Sequence, residues 1–323
     1  MTLVTFWFVV VVVFWTGFLV LEGFDFGVGM LHRVVGRDDR GRGQALQTIG
    51  PLWDGNEVWL IVAAAGMFAA FPGWYATMFS GFYLAFLLVL VALIARGVSF
   101  EFGGRRAGPR WRRSWELATT GGSLLAPLLI GVALGNLLAG VPIGADQEYA
   151  GTVVDLLNGY ALYCGVTVVL LCLLQGASFL ALKTSGEVRD RARRVGRLLG
   201  PLTAAAVVGF ALWTQATAGR WSLPLVVAVL AALAAAWQVG RGRDGVAFAA
   251  TSLTMAAVVV SVFVGLYPRV MVSSLGASSD LTITNTASSP YALKVMTVAA
   301  AVLFPVVLAY QAWTYHVFRS RVR

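Results

Sequence analysis

Four acidic residues inside or beside apolar segments are the side chains of this sequence best suited to chemistry. Glu22 and Asp25 interrupt the first apolar segment, whereas Asp54 and Glu57 stand at the start of the second. A charged side chain costs about 2.5–3.5 kcal/mol at the centre of a bilayer and less towards its faces. Acidic residues at such positions are candidates for function, because chains of carboxyl groups carry protons through membrane proteins.

The spacing of these residues favours one shared site. Each pair has a separation of three residues, which places both carboxyls on one face of a helix. Asp25 lies about 9 Å from the predicted end of its helix, at 1.5 Å per residue. Asp54 lies in the first turn of the next helix. If the two helices are neighbours, the four carboxyls meet near the cytoplasmic face and form a proton pathway.

A structural role is the competing interpretation for these acids. Asp54 and Glu57 could cap the second helix, because a carboxylate accepts hydrogen bonds from free N–H groups and is favoured by the helix dipole. Asp25 could instead be a hydrogen-bonded anchor or pair with a cytoplasmic arginine. Capping does not explain Glu22 or Asp25, since both lie in the C-terminal half of their helix, where the dipole disfavours anions.

Other polar and aromatic residues have simpler interpretations. Arg96 lies at the cytoplasmic end of the third predicted helix, where its side chain can extend to water. Together with Trp53 and Trp59, it is predicted to serve helix packing or a subunit interface. Asp155 and Asn158 are predicted to cap the fifth helix.

The elements that position these residues are membrane helices. The chain of 323 residues is 59% hydrophobic and 12% charged, and its mean hydropathy of +0.79 exceeds that of ordinary soluble domains. A helix that spans a bilayer needs about 20 mostly apolar residues. Segments of that order occur near residues 6–31, 53–71, 75–96, 115–140, 153–182, 198–217, 223–239, 246–266 and 294–318.

These segments predict an all-α, polytopic membrane protein with nine transmembrane helices in a single integral membrane domain, residues 1–323. Two four-helix bundles, at about 1–145 and about 146–270, precede one additional helix at about 290–323. The loop 267–293 is predicted to form an ordered cap or a short extended segment. Pro201 is predicted to lie near the start of the sixth helix.

The basic residues predict the orientation of these helices. Of the 24 Lys and Arg residues, 20 lie in alternate loops or at the C-terminus. The positive-inside rule places these segments in the cytoplasm and the N-terminus outside. The same distribution accounts for the net charge of +9, so no nucleic-acid partner is predicted.

Metal ligands are scarce in this sequence. His32 and His316 are its only histidines, and both lie near cytoplasmic helix ends. Cys164 and Cys172 are eight residues apart in one apolar helix. Haem iron and most catalytic metals need His, Cys or Met side chains directed into the bundle. We therefore predict no metal site and no directly bound redox cofactor in this chain.

Two short blocks and several longer segments of the sequence are distinctive. They are Glu-Gly-Phe-Asp-Phe-Gly at 22–27, Asp-Gly-Asn-Glu at 54–57, and the segments 49–60, 68–76, 79–83, 131–142 and 281–297. These residues resemble subunit II of the cytochrome bd quinol oxidases, and the resemblance covers essentially the whole chain. It implies an enzyme of the bacterial plasma membrane that takes electrons from quinol and reduces dioxygen to water.

The resemblance also implies which groups each subunit of the enzyme contains. In that family the haem b and haem d groups belong to subunit I, so this chain is expected to be haem-free, to support subunit I and to supply protons at Asp54. Quinol, lipids and a small single-helix accessory subunit are further expected partners, and some members hold a structural quinone in subunit II. Glu57 departs from members that have Gln at this position.

Two other functions remain open from the residues alone. A proton- or ion-coupled secondary transporter would use Glu22, Asp25 and Asp54 as ion or proton sites. Transporters usually place such groups near the midplane at broken helices, and the first two predicted helices lack a central break. A purely structural assembly subunit would need no proton role for any of them.

The charge distribution generates a topology prediction. A reporter fused after Arg323 should be active only in the cytoplasm, and one inserted near Ser279 only outside, because the basic loops stay inside. Enzymatic reporters that work on one side of the membrane would measure this. The opposite pattern at both positions would contradict the predicted orientation.

Overall fold

The computed structural model describes residues 2–104, 108–218 and 222–322, and helices dominate them. The helices are α1 Leu3–Val35, α2 Asp39–Gln47, α3 Trp53–Ala70, α4 Pro72–Gly81, α5 Tyr83–Phe102, α6 Pro109–Ala139, α7 Gly159–Lys183, α8 Gly186–Ala218, α9 Leu223–Gly240, α10 Asp244–Leu266 and α11 Pro290–Val317. Four arginines used in the orientation argument lie outside the described residues: Arg105, Arg106, Arg220 and Arg323.

Eight helices within the described residues are long and apolar enough to cross a membrane, namely α1, α5, α6, α7, α8, α9, α10 and α11. The predicted second span forms α3, which has 18 residues but is not among these eight. Its first turns carry Asp54, Asn56 and Glu57, which lower its hydropathy. The polytopic helical architecture is confirmed, and nine membrane crossings stay a prediction.

The third predicted helix, at 75–96, is wrong as a single element. The chain forms α4 and α5 there, separated at Phe82, whose backbone (φ −99°, ψ 20°) is not helical. The Phe82 side chain is buried, and backbone bonds from Phe82 to Met78 (3.0 Å) and from Phe86 to Phe82 (2.9 Å) keep the two helices joined. The short helix α2 was also not predicted, because its polar sequence lacks an apolar stripe.

The helix α8 begins 12 residues before its predicted start at 198, since charged residues extend it beyond the apolar segment. As a result Pro201 lies inside a helix rather than near its start, contrary to the prediction. A proline there leaves one backbone carbonyl without its usual N–H donor and favours a kink.

The polar ends of the helices gather at one end of the molecule, which we call the arginine-rich end. It contains the C-termini of α1, α5, α7, α9 and α11 and the N-termini of α3, α6, α8 and α10. Arg191 donates to the carbonyl oxygen of Val35 (3.1 Å), and the Val322 amide donates to that of Lys183 (2.8 Å). Asp244 accepts from both Arg189 and Arg193. These bonds tie helices from both halves of the chain together.

An ordered cap covers the opposite end. Strand β1, Arg269–Met271, pairs antiparallel with β2, Leu281–Thr282, and the Val141 amide donates to the Val272 carbonyl (3.0 Å). Farther along, the Ser288 amide donates to the carbonyl of Ala70 at the end of α3 (2.9 Å). The loop after α10 therefore has the ordered form that the sequence predicts.

The two predicted caps of the fifth helix lie on this side as well. Asn158 is the N-cap of α7, and its side chain accepts from the Ala161 amide at 2.9 Å. Asp155 closes a separate short turn with Thr152, whose amide and hydroxyl both donate to its carboxylate. These bonds hold the pKa of Asp155 below its usual range. Both residues therefore cap, although Asp155 caps the preceding 3₁₀ turn.

Helix α1 is central to the packing. It contacts α3, α6, α7 and α10, and it meets α7 where two glycines face each other. A Cβ atom on Gly27 would lie 1.9 Å from the Cys172 carbonyl oxygen and 2.7 Å from the Cα of Gly176. Only glycine permits this backbone approach. The contact joins the first and second halves of the chain, and their division into two four-helix bundles stays a prediction.

The last helix is attached differently. Most of α11 is exposed, and Leu293 is its one buried residue among those described. Trp7 donates from its indole to Leu293 O (3.2 Å) and to Thr297 Oγ1 (3.0 Å), which fixes the beginning of α11. Lys183 donates to the Phe318 and Ser320 carbonyls beyond its other end. Hydrogen bonds therefore hold a helix that buries little apolar surface.

The glycine contact predicts a sensitive position. Gly27→Ala should lower the unfolding temperature of the purified protein, because overpacking of this kind costs about 1–3 kcal/mol. Gly121→Ala in α6 is the matched control, since a Cβ there meets no atom within 4 Å. The control should be neutral or stabilising by up to about 1 kcal/mol. Equal unfolding temperatures for both variants would contradict the close packing of α1 and α7.

Candidate functional site

A fully buried arginine lies at the centre of the candidate site. Arg96 of α5 forms an ion pair with Glu22 of α1, and neither side chain is exposed. Its Nη1 also lies 3.3 Å from Glu57 Oε2 of α3, whose side chain is 25% exposed. The guanidinium carbon lies 4.9 Å from the ring centre of Phe26 and 5.3 Å from that of Phe100. One cation thus joins three helices.

The prediction that Arg96 extends to water is wrong. Helix α5 continues to Phe102, so Arg96 lies six residues inside it rather than at its end. A buried guanidinium is tolerated only with a charge partner and further contacts. Glu22 supplies the charge, and the two aromatic faces supply cation–π contacts. The sequence did not show which helix would face Arg96.

A second part of the site surrounds Asp25, which is also fully buried. Asn56 of α3 donates from Nδ2 to Asp25 Oδ2 at 2.7 Å. The Asn56 Oδ1 atom accepts from Gln311 Nε2 (3.0 Å) and from the Tyr315 hydroxyl (2.9 Å) of α11. Asn56 therefore connects α1 with the last helix.

Sequence reasoning missed the role of Asn56, Gln311 and Tyr315. The signal for the last two is their four-residue spacing, which puts both polar groups on one face of an otherwise apolar helix. Asn56 lies between Asp54 and Glu57, and a neutral amide between two acids does not stand out as a candidate site residue. Its fully buried position could not be read from a first turn that also carries exposed residues.

The charges in the site do not balance. Glu22, Asp25 and Glu57 surround one guanidinium, so full ionisation would leave two excess negative charges in a largely buried space. Glu22 Oε2 and Asp25 Oδ1 have no hydrogen-bond partner among the described residues. If one of these carboxyl groups is protonated, part of the free-energy cost of burying charge is removed. Full ionisation of all three carboxyl groups is therefore unfavourable in this arrangement.

Asp54 does not join this buried network. It is exposed in the first turn of α3, and it makes no hydrogen bond with the described residues. The N-cap position of α3 is Leu52, which has no capping side chain, so a capping bond by Asp54 is absent too. Three of the four predicted carboxyls thus meet, and Asp54 lies one turn before Glu57 on the protein surface.

The two tryptophans both pack within the chain. Trp59 is buried against Phe14 and Phe304, with ring centres 6.4 and 6.0 Å away. Trp53 is half-buried and lies 5.2 Å from the ring of Phe100. Since Phe100 also faces Arg96, Trp53 supports the wall of the candidate site.

The metal-ligating residues are dispersed. Over 2–104, 108–218 and 222–322, no three His, Cys, Asp or Glu residues are grouped so that they could hold a metal ion. The His32 ring is buried with Nδ1 2.8 Å from the Gly29 carbonyl oxygen. Cys164 and Cys172 are buried free thiols.

Comparisons with known proteins agree with the motifs. The family model of cytochrome bd terminal oxidase subunit II matches residues 3–318. The chain belongs to this family. It is 43% identical to cytochrome bd ubiquinol oxidase subunit 2 of Bacillus subtilis, over 98% of this chain and 96% of that protein. It is 35% identical to cytochrome bd-I ubiquinol oxidase subunit 2 of Escherichia coli K12, over 98% and 94% of the two chains.

The fold is shared as well. The structure of bd oxidase from Geobacillus thermodenitrificans contains a chain that aligns with a TM-score of 0.71 and 20% identity, covering 98% of both chains. The resemblance seen in the sequence is therefore confirmed. As a cytochrome bd subunit II family member, the chain is a multi-pass protein of a bacterial membrane and a subunit of an oxidoreductase complex.

The buried ion pair of this subunit II predicts a large stability effect. Arg96→Gln should destabilise the protein by about 3–5 kcal/mol, because Glu22 is left buried without its partner. The double variant Arg96→Gln with Glu22→Gln should recover most of this loss. Arg112→Gln is the control, since its pair with Asp39 is exposed and worth below about 1 kcal/mol.

Thermal unfolding of the purified protein would measure the three variants side by side. The interpretation fails if Arg96→Gln unfolds at the same temperature as the Arg112→Gln control. It also fails if removing Glu22 as well gives no recovery.

Proposed function

We propose that this chain is the haem-free subunit II of a cytochrome bd-type quinol:dioxygen oxidoreductase. In this role it supports subunit I and delivers protons from the cytoplasm for the reduction of dioxygen to water. The observation that carries the proposal is the buried cluster of Glu22, Asp25 and Glu57 around Arg96. Family membership supplies the reaction class, because relatives are named as ubiquinol oxidase subunits.

The cluster has the properties of a proton relay. Reduction of dioxygen to water consumes protons, and a relay through apolar protein needs groups that titrate without a full hydration shell. Burial decreases in steps from Glu22 and Asp25, through the partly exposed Glu57, to the exposed Asp54. Glu57 and Asp54 are three residues apart on α3, on neighbouring positions of one face. A proton can therefore move from the interior towards the surface of the chain.

This surface supports a contact with subunit I. Asp54 is exposed beside large apolar residues such as Val58 and Ile61 of the same helix, which are also exposed. A carboxylate facing lipid tails is costly, whereas one at a protein interface can pass its proton to a partner group. We place the boundary with subunit I on this face of α3. The accessory subunit, bound lipids and the quinol pool stay predicted partners.

Orientation is part of the proposal. The arginine-rich end is placed in the cytoplasm and the cap formed by β1 and β2 outside, because basic loops are retained inside. Asp25 is then ten residues from the cytoplasmic end of α1, roughly 15 Å at 1.5 Å per residue. This depth exceeds the sequence-based value because α1 extends to Val35.

The proposal assigns haem b and haem d to subunit I. His32 uses one ring nitrogen on the Gly29 carbonyl, and His316 is exposed near the end of α11, so the two histidines offer no facing pair of ligands. The redox chemistry then belongs to the partner, and this chain's residues position and move protons. A structural quinone in this subunit stays a prediction.

Proton delivery predicts the behaviour of conservative carboxyl variants in the whole complex. Asp25→Asn and Asp54→Asn keep the side-chain size and remove a titratable proton, and both leave the ion pair of Arg96 with Glu22 intact. Each should slow quinol oxidase turnover by about tenfold or more, in line with the loss of a proton-transfer group. Oxygen consumption with quinol would measure turnover, and optical haem bands would measure assembly.

Asp155→Asn is the matched control, because Asp155 lies at the opposite end and only caps a turn. Its turnover should equal that of the unmodified complex. The proton role is wrong if Asp25→Asn and Asp54→Asn assemble with full haem and keep full turnover between about pH 6 and pH 8. A purified assembly without haem bands would instead favour a transporter.

A further inference from the structure

An open cleft of about 600 Å³ lies at the arginine-rich end, between α1 and α2 on one side and α5 and α6 on the other. We call it the polar cleft and define it by His32, Arg42, Ser99, Glu116 and Thr119, which all line it. It belongs to neither the ion pair of Arg96 nor the network of Asn56. Its floor nevertheless consists of buried groups that lie close to both.

Buried polar atoms without partners follow one face of α1 from this cleft to the carboxyl cluster. Asp25, Gly29 and His32 are four and three residues apart, which is the spacing of one helix face. His32 is fully buried, and its Nε2 has no partner among the described residues. The same holds for Ser123 Oγ and for Asp25 Oδ1.

Ser123 of α6 fills the space between the other two groups. A Cβ atom on Gly29 would lie only 2.0 Å from Ser123 Oγ, so this hydroxyl rests on the helix surface midway between Asp25 and His32. His32 is seven residues beyond Asp25, or about 10 Å along the axis. Buried polar atoms are normally hydrogen-bonded, so water molecules are the natural partners for these three groups. Such waters would connect His32, Ser123 and Asp25 in one row.

A second set of hydroxyls connects the same cleft with Arg96. Ser99 Oγ lies 2.6 Å from Thr119 Oγ1, and both residues line the cleft. The Ser99 hydroxyl also bonds to the carbonyl oxygen of Arg96 at 2.5 Å. The floor of the cleft is therefore one helix turn away from the ion pair with Glu22.

Charged groups surround the entrance to His32 from three helices. Glu116 of α6 pairs with Arg42 of α2 at 2.8 Å and with Arg33 of α1 at 3.4 Å. These side chains are partly exposed, so the entrance is polar and open to water. A neutral imidazole at its base has one ring nitrogen that can accept a proton.

We propose that His32 is the proton-accepting residue at the base of the polar cleft and that it refills the carboxyl cluster by way of Ser123. Its Nδ1–H stays bonded to the Gly29 carbonyl, so Nε2 accepts a proton from water in the cleft and later releases the same proton towards Ser123 and Asp25. One proton enters and one leaves, and no electron moves. This inference rests on the proposed function and adds its entry point.

Two variants test the path inside the protein. His32→Asn keeps an amide that can donate to the Gly29 carbonyl but removes the titratable ring, and Ser123→Ala removes only a hydroxyl. In the whole oxidase complex, each should slow oxygen consumption several-fold at unchanged haem content. The loss should grow as the pH rises, because protons become scarcer at the cleft.

Ser178→Ala is the matched control for these variants. Ser178 is also a buried serine whose hydroxyl has no partner among the described residues, but it lies on α7 beside α8 and α10. Its removal should leave turnover and pH dependence unchanged.

A third variant tests the cleft without altering the buried groups. Gly43 lines the cleft, and a Cβ there meets no atom within 4 Å, so Gly43→Cys can carry a bulky thiol reagent. Reaction with the reagent should slow turnover several-fold. Gly240→Cys is its control, because Gly240 is equally unobstructed at the same end but lies outside the cleft.

The outcomes separate this inference from the proposed function. Slower turnover of Ser123→Ala and of the labelled Gly43→Cys complex supports the inlet, even if His32→Asn fails to assemble. The inlet is overturned if these variants, with full haem, match the unmodified complex while Asp25→Asn is slow. If Asp25→Asn is also fully active, the proton-delivery proposal and the inlet fail together.

Discussion

The buried ion pair between Arg96 and Glu22 is the interaction on which the arrangement of this subunit depends. It joins α5 to α1 through two side chains that are both fully buried, and the guanidinium also reaches Glu57 of α3. An arginine there would be costly with any one partner missing, so the three helices must meet in one relative position. Asp25 lies three residues from Glu22 on the same face of α1, so together with Glu57 the carboxyls outnumber the one guanidinium. Structural anchoring and the proposed proton transfer therefore involve the same residues.

Much of the fold follows from hydrophobic length alone. Eight helices within the described residues are long and apolar enough to cross a membrane, and local sequence specifies their length and composition. Local sequence also specifies the acids within α1 and the caps formed by Asp155 and Asn158. The interruption at Phe82 was not predicted, although Ser80 and Gly81 directly precede it, because the segment as a whole is apolar enough for one continuous helix. The early start of α8 could not be predicted, because charged residues outside the membrane can form a helix as readily as a loop.

The candidate site was predictable only in part for a related reason. Spacing shows which residues share a face of one helix, and it correctly placed Glu22 and Asp25 on the same face of α1. It does not show which face of another helix lies opposite, so Arg96 was assigned to water and Asn56 was overlooked. Asp54 shows the reverse error, since its spacing from Glu57 predicted that it would meet the other three carboxyls, whereas it is exposed in the first turn of α3. The family resemblance supplied the reaction class, which no residue in this chain encodes by itself.

The attachment of α11 connects an exposed helix with a buried acid. This helix is held by hydrogen bonds rather than by a broad apolar contact, and two of those bonds end on Asn56, which in turn donates to Asp25. A small sliding or rotation of α11 would change the donors available to Asn56 and thus the solvation of the Asp25 carboxyl. The most exposed of the long helices is therefore linked, through the single amide of Asn56, to the hydrogen bonding of an interior acid.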